Sequence, residues 1–382
     1  MTLRNYFRLL AEDQAYVNGM AWFWKPVLKI ASFFYLAGLR VHKFLYSVGI
    51  LKVHSFSIPV ISVGNITWGG TGKTPIVEYV SRFYINRRKT PLVLTRGYGA
   101  DESKLLVKQL PDAKFGIGKD RFKEAEAIIK KSPVDVIILD DGLQHWKIKK
   151  NLEIVAINVL NPFGNGSLLP RGILREPVDS LKRASLVVLT DVNLTARKDL
   201  ETLKTKIRSI AGNVDFVEAH REALYFYRPE SKERIPADRL QGLRVTTFSG
   251  IGTPRSFQML LNQLGLKNVR NFEFSDHHPY TETELKEIVK TKEVSESHEI
   301  ITTEKDFYRN EKEMRRIVKP LILKVRLRLT NGETLLHQNL SKFSGSDQNF
   351  SRPDYRHHHQ ESEQVSPVTN EPTRVEPNNQ SA

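Results

Sequence analysis

The sequence predicts an α/β protein: a mostly parallel sheet covered by helices on both faces, built in two successive series of strands and helices. Three observations predict it. First, near-continuous apolar runs, "IPVISV", "PLVLTRG", "VDVIILDDG", "EIVAINV" and "LVVLTD", alternate with charged, helix-compatible stretches at 121–131 and 196–211. Strands buried on both faces read as unbroken apolar runs, and helical crossovers make them parallel. Second, the rhythm begins again after residue 236 with "RVTTFSGIG", "NVRNFEF", "EIITTEKD" and "PLILKVRLRL". Third, the first strand runs into "SVGNITWGGTGKTP", a phosphate-loop-like turn, followed by the helix-compatible "IVEYVSRFY".

In chain order, four regions are expected. Residues 1–53 form an amphipathic helical region. Residues 54–220 form the phosphate-loop core domain. Residues 221–340 form a smaller second α/β domain that closes a cleft, entered through a connecting strand at 221–236. Residues 341–382, rich in Ser, Asn, Gln, Pro and Glu, are a disordered tail. The "HHH" at 357–359 lies in that tail and is read as composition, not as a metal site.

The N-terminal region carries seven Lys and Arg against two acids, a concentrated share of the chain's formal charge of +15. A polyanionic partner is implied: a nucleic acid, an anionic membrane face or a phosphorylated substrate. Its longest uncharged apolar run, Ile30 to Leu39, is ten residues, well short of the ~20 that span a bilayer. On a helix, Lys25, Lys29, Ser32, Arg40 and Lys43 fall on one stripe, while Phe23, Val27, Ile30, Phe34 and Val41 point elsewhere. Two readings are open at this point. The helix lies in an anionic membrane interface, or it packs on the protein's own core with its lysines solvated. Trp22 and Trp24 beside the stripe favour the membrane. The basic excess tracks an apolar helix, not a recognition element, so no nucleic acid is expected.

The loop breaks the usual G-x-x-x-x-G-K-[ST] pattern, because Thr67 stands where the first glycine belongs. The groups that hold phosphate come later, however. Gly69, Gly70, Thr71 and Gly72 supply a run of backbone amides leading into a helix. Lys73 would reach the β and γ phosphates, and the Thr74 hydroxyl would ligate Mg²⁺. Such a loop needs a metal-holding acid at the end of a neighbouring strand, and "VDVIILDDGLQH" supplies Asp140 and Asp141. The chain has no cysteine, which removes disulfides, thiolate catalysis and Cys-ligated metals. It has no [NT]-K-x-D for reading guanine, and Trp68 stands where the deviant-loop ATPases of cell division carry a lysine. A phosphoryl-transferring enzyme is the better reading, with a membrane-cycling ATPase switch as the alternative.

An ordered set of motifs resembles the tetraacyldisaccharide 4′-kinases, which phosphorylate the lipid A precursor. The set is "VGNITWGGTGKTP", "TRGYG", Asp101–Glu102, "DDGLQH", "LREP", "FSGIG", "DHH" and "TTEKD", spread over roughly 15–335. The resemblance includes Thr67 itself. It implies two α/β/α sandwich domains with the active site between them, and transfer of the ATP γ-phosphoryl group to the 4′-hydroxyl of a tetraacyldisaccharide 1-phosphate, giving lipid IVA. It also implies Mg²⁺ and a peripheral place on the cytoplasmic face of the inner membrane of a Gram-negative type bacterium. The chain is expected to act as a monomer. Residue by residue, Lys73 and Thr74 match the phosphate lysine and metal-ligating threonine, and Asp140 the metal acid. Asp101 matches the general base, assisted by His277; from the residues alone Asp101 is a solvated loop charge. Arg175 and Glu176 resemble family residues near the transferred phosphate or the substrate; Gln144 and His145 are expected to line the site, Arg121 is a further candidate anion ligand, and Glu102 and Asp141 are expected on the substrate or phosphate side. Ser103 stands where the family often has proline.

Overall fold

The computed structural model describes residue 11 and residues 21–97, 100–231 and 233–344. The expected tail lies, from residue 345 onward, outside the described residues, as do Tyr98 and Gly99. A helix at Ala21–Ser47 (α1) precedes the sheet. The first strand set comprises β1 (Val60–Gly64), β2 (Pro91–Thr95), β3 (Lys114–Ile117), β4 (Val136–Asp140), β5 (Leu152–Asn158), β6 (Leu186–Thr190) and β7 (Asp215–Tyr227). Its helices are α2 (Lys73–Ile85), α3 (Ala100–Gln109), α4 (Arg121–Ile129) and α5 (Arg197–Ala211). After the short β8 (Arg234–Ile235) come β9 (Arg244–Ser249), α6 (Pro254–Gln263), β10 (Lys267–Glu273), α7 (Glu282–Val294), β11 (Glu299–Thr303), α8 (Glu304–Arg309), β12 (Leu321–Asn331) and α9 (Glu333–Ser341).

Alternate residues of the central strands feed opposite faces, as a doubly covered sheet requires. In β4, Val136 and Ile138 join the core under α2 and α3, where Ile76, Val80 and Leu106 lie. Ile137 and Leu139 join the core under α4, around Ala125. In β6, Leu186 and Val188 face the first side, while Val187 and Leu189 pack with Leu200, Leu203 and Ile207 of α5. The second set repeats the arrangement: α6 covers Val245, Ile301 and Leu323, and α7 covers Phe248, Ile300 and Ile322.

The two sets are not separate sheets. Among the described residues they form one twelve-stranded sheet in the order β10-β9-β11-β12-β7-β6-β5-β1-β4-β2-β3, with β8 paired to β7. All neighbours pair in parallel except β7 with β12 and β7 with β8. β6 pairs with β7 only at Asp215–Glu218. β7 then runs on to Tyr227 in an antiparallel ribbon with β12. β11 joins β12 only at Leu321–Leu323, at the far end of that ribbon. The second set therefore points back at the first, carboxyl ends facing across a gap on the order of 20 Å of ribbon. The expected connecting strand at 221–236 corresponds to the overhang of β7. The helix α9 follows the second set but returns to α2, where Tyr84 donates to the Leu340 carbonyl (2.7 Å) and Tyr79 to Glu333 (2.9 Å).

Candidate active site

Loops at the carboxyl ends of both sets line one cavity of about 680 Å³, within the range of small-molecule sites. From the first set come residues 67–75, Thr95, Arg96, Glu102, Arg121, Asp140, Asp141 and Arg175. From the second come Gly252, Thr253, Asp276, His277 and Lys305. The ribbon contributes Arg221, Leu323 and Val325 as the back wall.

The phosphate loop explains its own irregularity. Thr67 is buried and forms an antiparallel bridge with Leu174. Trp68 N–H donates to the Ile173 carbonyl (2.6 Å) and Arg175 N–H to the Ile66 carbonyl (2.7 Å). At this point the chain is extended and paired, so a glycine's freedom is not required. That freedom is required at Gly72, which caps α2 with φ of 83° and leaves the helix start without a side-chain cap. An uncapped helix N-terminus, preceded by small residues, presents amides and the positive end of the helix dipole to an anion. The loop is braced from three sides. Thr190 donates to the Thr71 carbonyl (3.0 Å), Thr253 to the Gly70 carbonyl (2.8 Å), and Asn158 Nδ2 lies 3.5 Å from the same oxygen.

Electrostatics are organised by the two carboxylates after β4. Asp141 has a left-handed backbone, φ 55°, and this turn separates its side chain from that of Asp140. Arg175 donates to Asp141 at 2.7 Å, Lys73 Nζ lies 3.7 Å away, and Arg121 donates to the Asp141 carbonyl at 3.1 Å. Burial would raise the Asp141 pKa, but Lys73, Arg175 and Arg121 outweigh it and hold the group well below the usual carboxylate range. It therefore stays ionised and gathers cations. Asp140 is pushed up to about 7 by burial and by the neighbouring charges of Glu102 and Asp141, against the pull of Lys73 and Arg121. Among the described residues no group of three or more His, Asp or Glu could by itself hold a metal ion, so any cation at Asp140 would need ligands beyond these carboxylates. Arg121 is itself buried. His145 is pushed down to about 4 by burial and by Arg121, Lys150 and Lys147, which leaves a neutral imidazole.

The second set brings in a side chain that the sequence analysis gave no role. Lys305 of "TTEKD" pairs with Glu102 at 2.8 Å and Asp276 at 3.2 Å, and its Nζ is 3.5 Å from His277 Nε2. It thus ties α3 to the "DHH" turn. His277 sits at φ 59°, and the following helix α7 starts only at Glu282, capped by Thr281. The turn is held by Asp306, fully buried, which accepts from Gly250 N–H (3.0 Å), Tyr280 (2.8 Å), Arg309 (2.9 Å) and Thr303 (2.7 Å). Read along the chain, "TTEKD" is simply a helix start, and Thr303 does cap α8. No sequence signal separates Lys305 from its neighbours. The same holds for Arg221, which forks onto buried Asp191 and reaches Ser256 at 2.7 Å.

Not every expected residue lines the cavity. Asp101 lies in the first turn of α3, and its side chain is outside the described residues. Gln144 donates to the Asn65 carbonyl at 2.8 Å and so supports the loop from behind. Glu176 is turned away, accepting from Ser180 (2.8 Å) and Arg183 (2.7 Å). Its place in "LREP" puts it beside Arg175 in sequence, yet the two side chains have different partners. His145 keeps a buried, unpartnered Nε2 next to these groups.

The approach of the two sets leaves no room at Gly252: a Cβ there would stand 2.0 Å from the Gly70 amide nitrogen. Gly252→Ala is therefore expected to push the second set off the phosphate loop. ATP-dependent turnover should fall on the order of 10²-fold while the thermal unfolding midpoint stays within a few degrees of wild type. Turnover within twofold of wild type would show that the contact has no bearing on the site.

Comparison with known proteins agrees with the geometry. The family model described as tetraacyldisaccharide-1-P 4′-kinase matches residues 24–343. A probable mitochondrial tetraacyldisaccharide 4′-kinase of Arabidopsis thaliana is 34% identical over 320 residues, covering 75% of this chain and 81% of that protein. The tetraacyldisaccharide 4′-kinase of Elusimicrobium minutum is 34% identical over 310 residues, covering 75% and 82%. Among solved structures, LpxK from Aquifex aeolicus, in complex with ATP, superposes with a TM-score of 0.63 at 26% identity, covering 84% of this chain and 99% of that one. The chain belongs to the tetraacyldisaccharide-1-P 4′-kinase family.

Proposed function

We propose that this protein transfers the γ-phosphoryl group of ATP to the 4′-hydroxyl of a tetraacyldisaccharide 1-phosphate, the lipid A precursor, acting as a monomer on an anionic membrane surface. The observation that carries this reading is the single cavity in which Lys73, Arg121, Arg175 and the uncapped start of α2 converge on the carboxylates after β4. One chain supplies every group.

In this reading the amides of 69–73 and the Lys73 ammonium grip the β and γ phosphates. Thr74 and Asp140 would be the protein oxygen donors for Mg²⁺, which when bound would offset negative charge on the phosphates. Arg175 and Arg121 oppose the negative charge that accumulates on the transferred group. Asp101 takes the proton of the attacking hydroxyl, with His277 orienting it. What supports the pairing is placement: the first turn of α3 and the "DHH" turn are bridged by Lys305 through Glu102 and Asp276.

The membrane contact is supported by α1. No helix among the described residues is long and apolar enough to cross a membrane. Yet α1 exposes Trp22, Phe23, Val27, Ile30, Phe33, Phe34, Val41 and Phe44. At 100° per residue these share the outward side, and Lys25, Lys29, Arg40 and Lys43 flank one edge of it. Ser32, expected on the basic stripe, is instead buried against the protein. An apolar outward face with a basic flank suits an interfacial helix, and the ATP-using side is the cytoplasmic face of the inner membrane.

Transfer of labelled γ-phosphate from ATP to a tetraacyldisaccharide 1-phosphate in mixed micelles tests the reaction. Wild type should label the lipid. Lys73→Ala should abolish labelling, and Asp101→Ala should lower kcat far more than ATP affinity. ATP hydrolysis without lipid labelling would favour the membrane-cycling ATPase, and near-normal turnover of Asp101→Ala would remove it as base.

A second expectation concerns pH. Only ionised Asp140 ligates a cation, and its pKa, raised to about 7, lets a proton compete below that pH. The apparent Mg²⁺ affinity should weaken roughly tenfold for each pH unit below 7. A Mg²⁺ requirement that stays flat between pH 8 and pH 6 would remove Asp140 from the metal shell.

A further inference from the structure

The inner side of α1 does something that anchoring does not need. Tyr35 donates its hydroxyl to the Arg175 carbonyl at 2.9 Å. Ser32 Oγ lies 2.8 Å from the Leu168 carbonyl and accepts from Arg171 N–H at 3.1 Å. A third tether lies further along, where the Lys43 ammonium stands 5.5 Å from the centre of the Trp146 ring, in the segment that follows Asp140 and Asp141.

The segment 168–175 that receives these bonds is the same one that pairs with the phosphate loop. Its Leu174 bridges Thr67, its Ile173 carbonyl accepts from Trp68, and its Arg175 amide donates to Ile66. At its end the Arg175 guanidinium reaches Asp141, beside Lys73. An unbroken line of hydrogen bonds therefore runs from the helix to the phosphate loop and to a cation of the site. Burial raises the Tyr35 pKa, which keeps the hydroxyl a donor at any physiological pH.

The hold of α1 on the protein is thin. Among its described residues only Leu28 and Ser32 are buried, while its outward side is apolar and exposed. In water, the Ser32 and Tyr35 contacts are part of what fixes the helix. Burying the outward side in an interface fixes it from the other direction.

We propose that α1 is a positioning element of the active site as well as a docking surface. Seating it on an anionic bilayer fixes segment 168–175, and with it Arg175 and the Thr67 end of the phosphate loop, through the Tyr35 hydroxyl and Ser32. Turnover is thereby coupled to membrane contact. This rests on the membrane reading given above, and its test includes a readout that needs no acceptor lipid.

Amide hydrogen exchange of peptides covering 66–74 and 168–175 is measured on the full chain, with and without vesicles containing anionic phospholipid. Vesicle co-sedimentation and kcat in mixed micelles are measured alongside. In wild type, vesicles should slow exchange at the Trp68 and Arg175 amides. Tyr35→Phe keeps the ring and removes only the donor. It should sediment with vesicles as wild type does, lose the vesicle-dependent slowing, and lower kcat about three- to tenfold with the KM for ATP unchanged. Ser32→Ala should act in the same direction.

Wild-type exchange that ignores vesicles while the protein co-sediments would overturn the proposal. So would a Tyr35→Phe protein with wild-type exchange and kcat, or one whose activity falls only in proportion to lost sedimentation. Absence of lipid labelling by wild type would sink the kinase reading alone, since the exchange experiment would still decide the coupling.

Discussion

Two parallel strand sets can present their carboxyl ends to one site only if one set is turned round, and the β7–β12 ribbon does the turning. Its register is what matters. Because β6 uses only the first residues of β7, and β11 only the first residues of β12, the sets are offset along the ribbon and not side by side. Side-by-side pairing would put their carboxyl ends on opposite edges of the sheet. The offset leaves a gap that loops from both sets fill until Gly70 and Gly252 touch. Each feature of the cavity, from the phosphate loop to Lys305, depends on that geometry.

The chemistry of the cavity follows from placing acids and cations at these ends in unequal numbers of contacts. Asp141 meets three cations and stays charged. Asp140, one residue away, is buried, and burial with the charges of Glu102 and Asp141 pushes its pKa up to about 7 against the pull of Lys73 and Arg121. A single left-handed turn at Asp141 separates the two environments. Two adjacent and identical side chains are thereby given different electrostatic environments, one ionised and holding Arg175 and Lys73, the other driven toward its neutral form. Lys305 extends the same logic across the gap, since one ammonium satisfies a carboxylate from each set. It lowers the electrostatic cost of bringing Glu102 and Asp276 together, which would otherwise oppose the approach.

What the sequence made legible was whatever depends on local pattern. Unbroken apolar runs gave the parallel strands, glycines before Lys73 gave the phosphate loop, and the paired aspartates ended a strand as expected. The single continuous sheet was not legible, because nothing in "REALYFY" says how far one strand overhangs another. β3, Lys114–Ile117, is four residues long and only one of them is buried, so it left no apolar run to read. Thr67 was legible as an exception, but its reason, a bridge to Leu174 more than a hundred residues away, was not. Lys305, Arg221 and Thr253 act through partners on distant segments, and each looks locally like an ordinary helix or strand residue. Glu176 shows the converse: a motif neighbour of Arg175 whose side chain turns the other way.

The N-terminal helix shows how one pattern conceals two surfaces. An ordinary surface helix buries its apolar side and exposes its polar side, so a basic stripe was read as the solvated or lipid-facing edge. In α1 the arrangement is split three ways. A narrow inner line of Leu28, Ser32 and Tyr35 meets the protein, the cations flank it, and the broad apolar side faces outward. The polar contacts of this inner line to backbone carbonyls and amides add little stability, since each such bond contributes only about 1 kcal/mol net. Their geometric precision is greater, because hydrogen bonds are directional where apolar contacts are not. A helix that served only as an anchor would have no use for that precision. Aimed at the segment that pairs with the phosphate loop, the same bonds make the helix's position relevant to the position of Arg175.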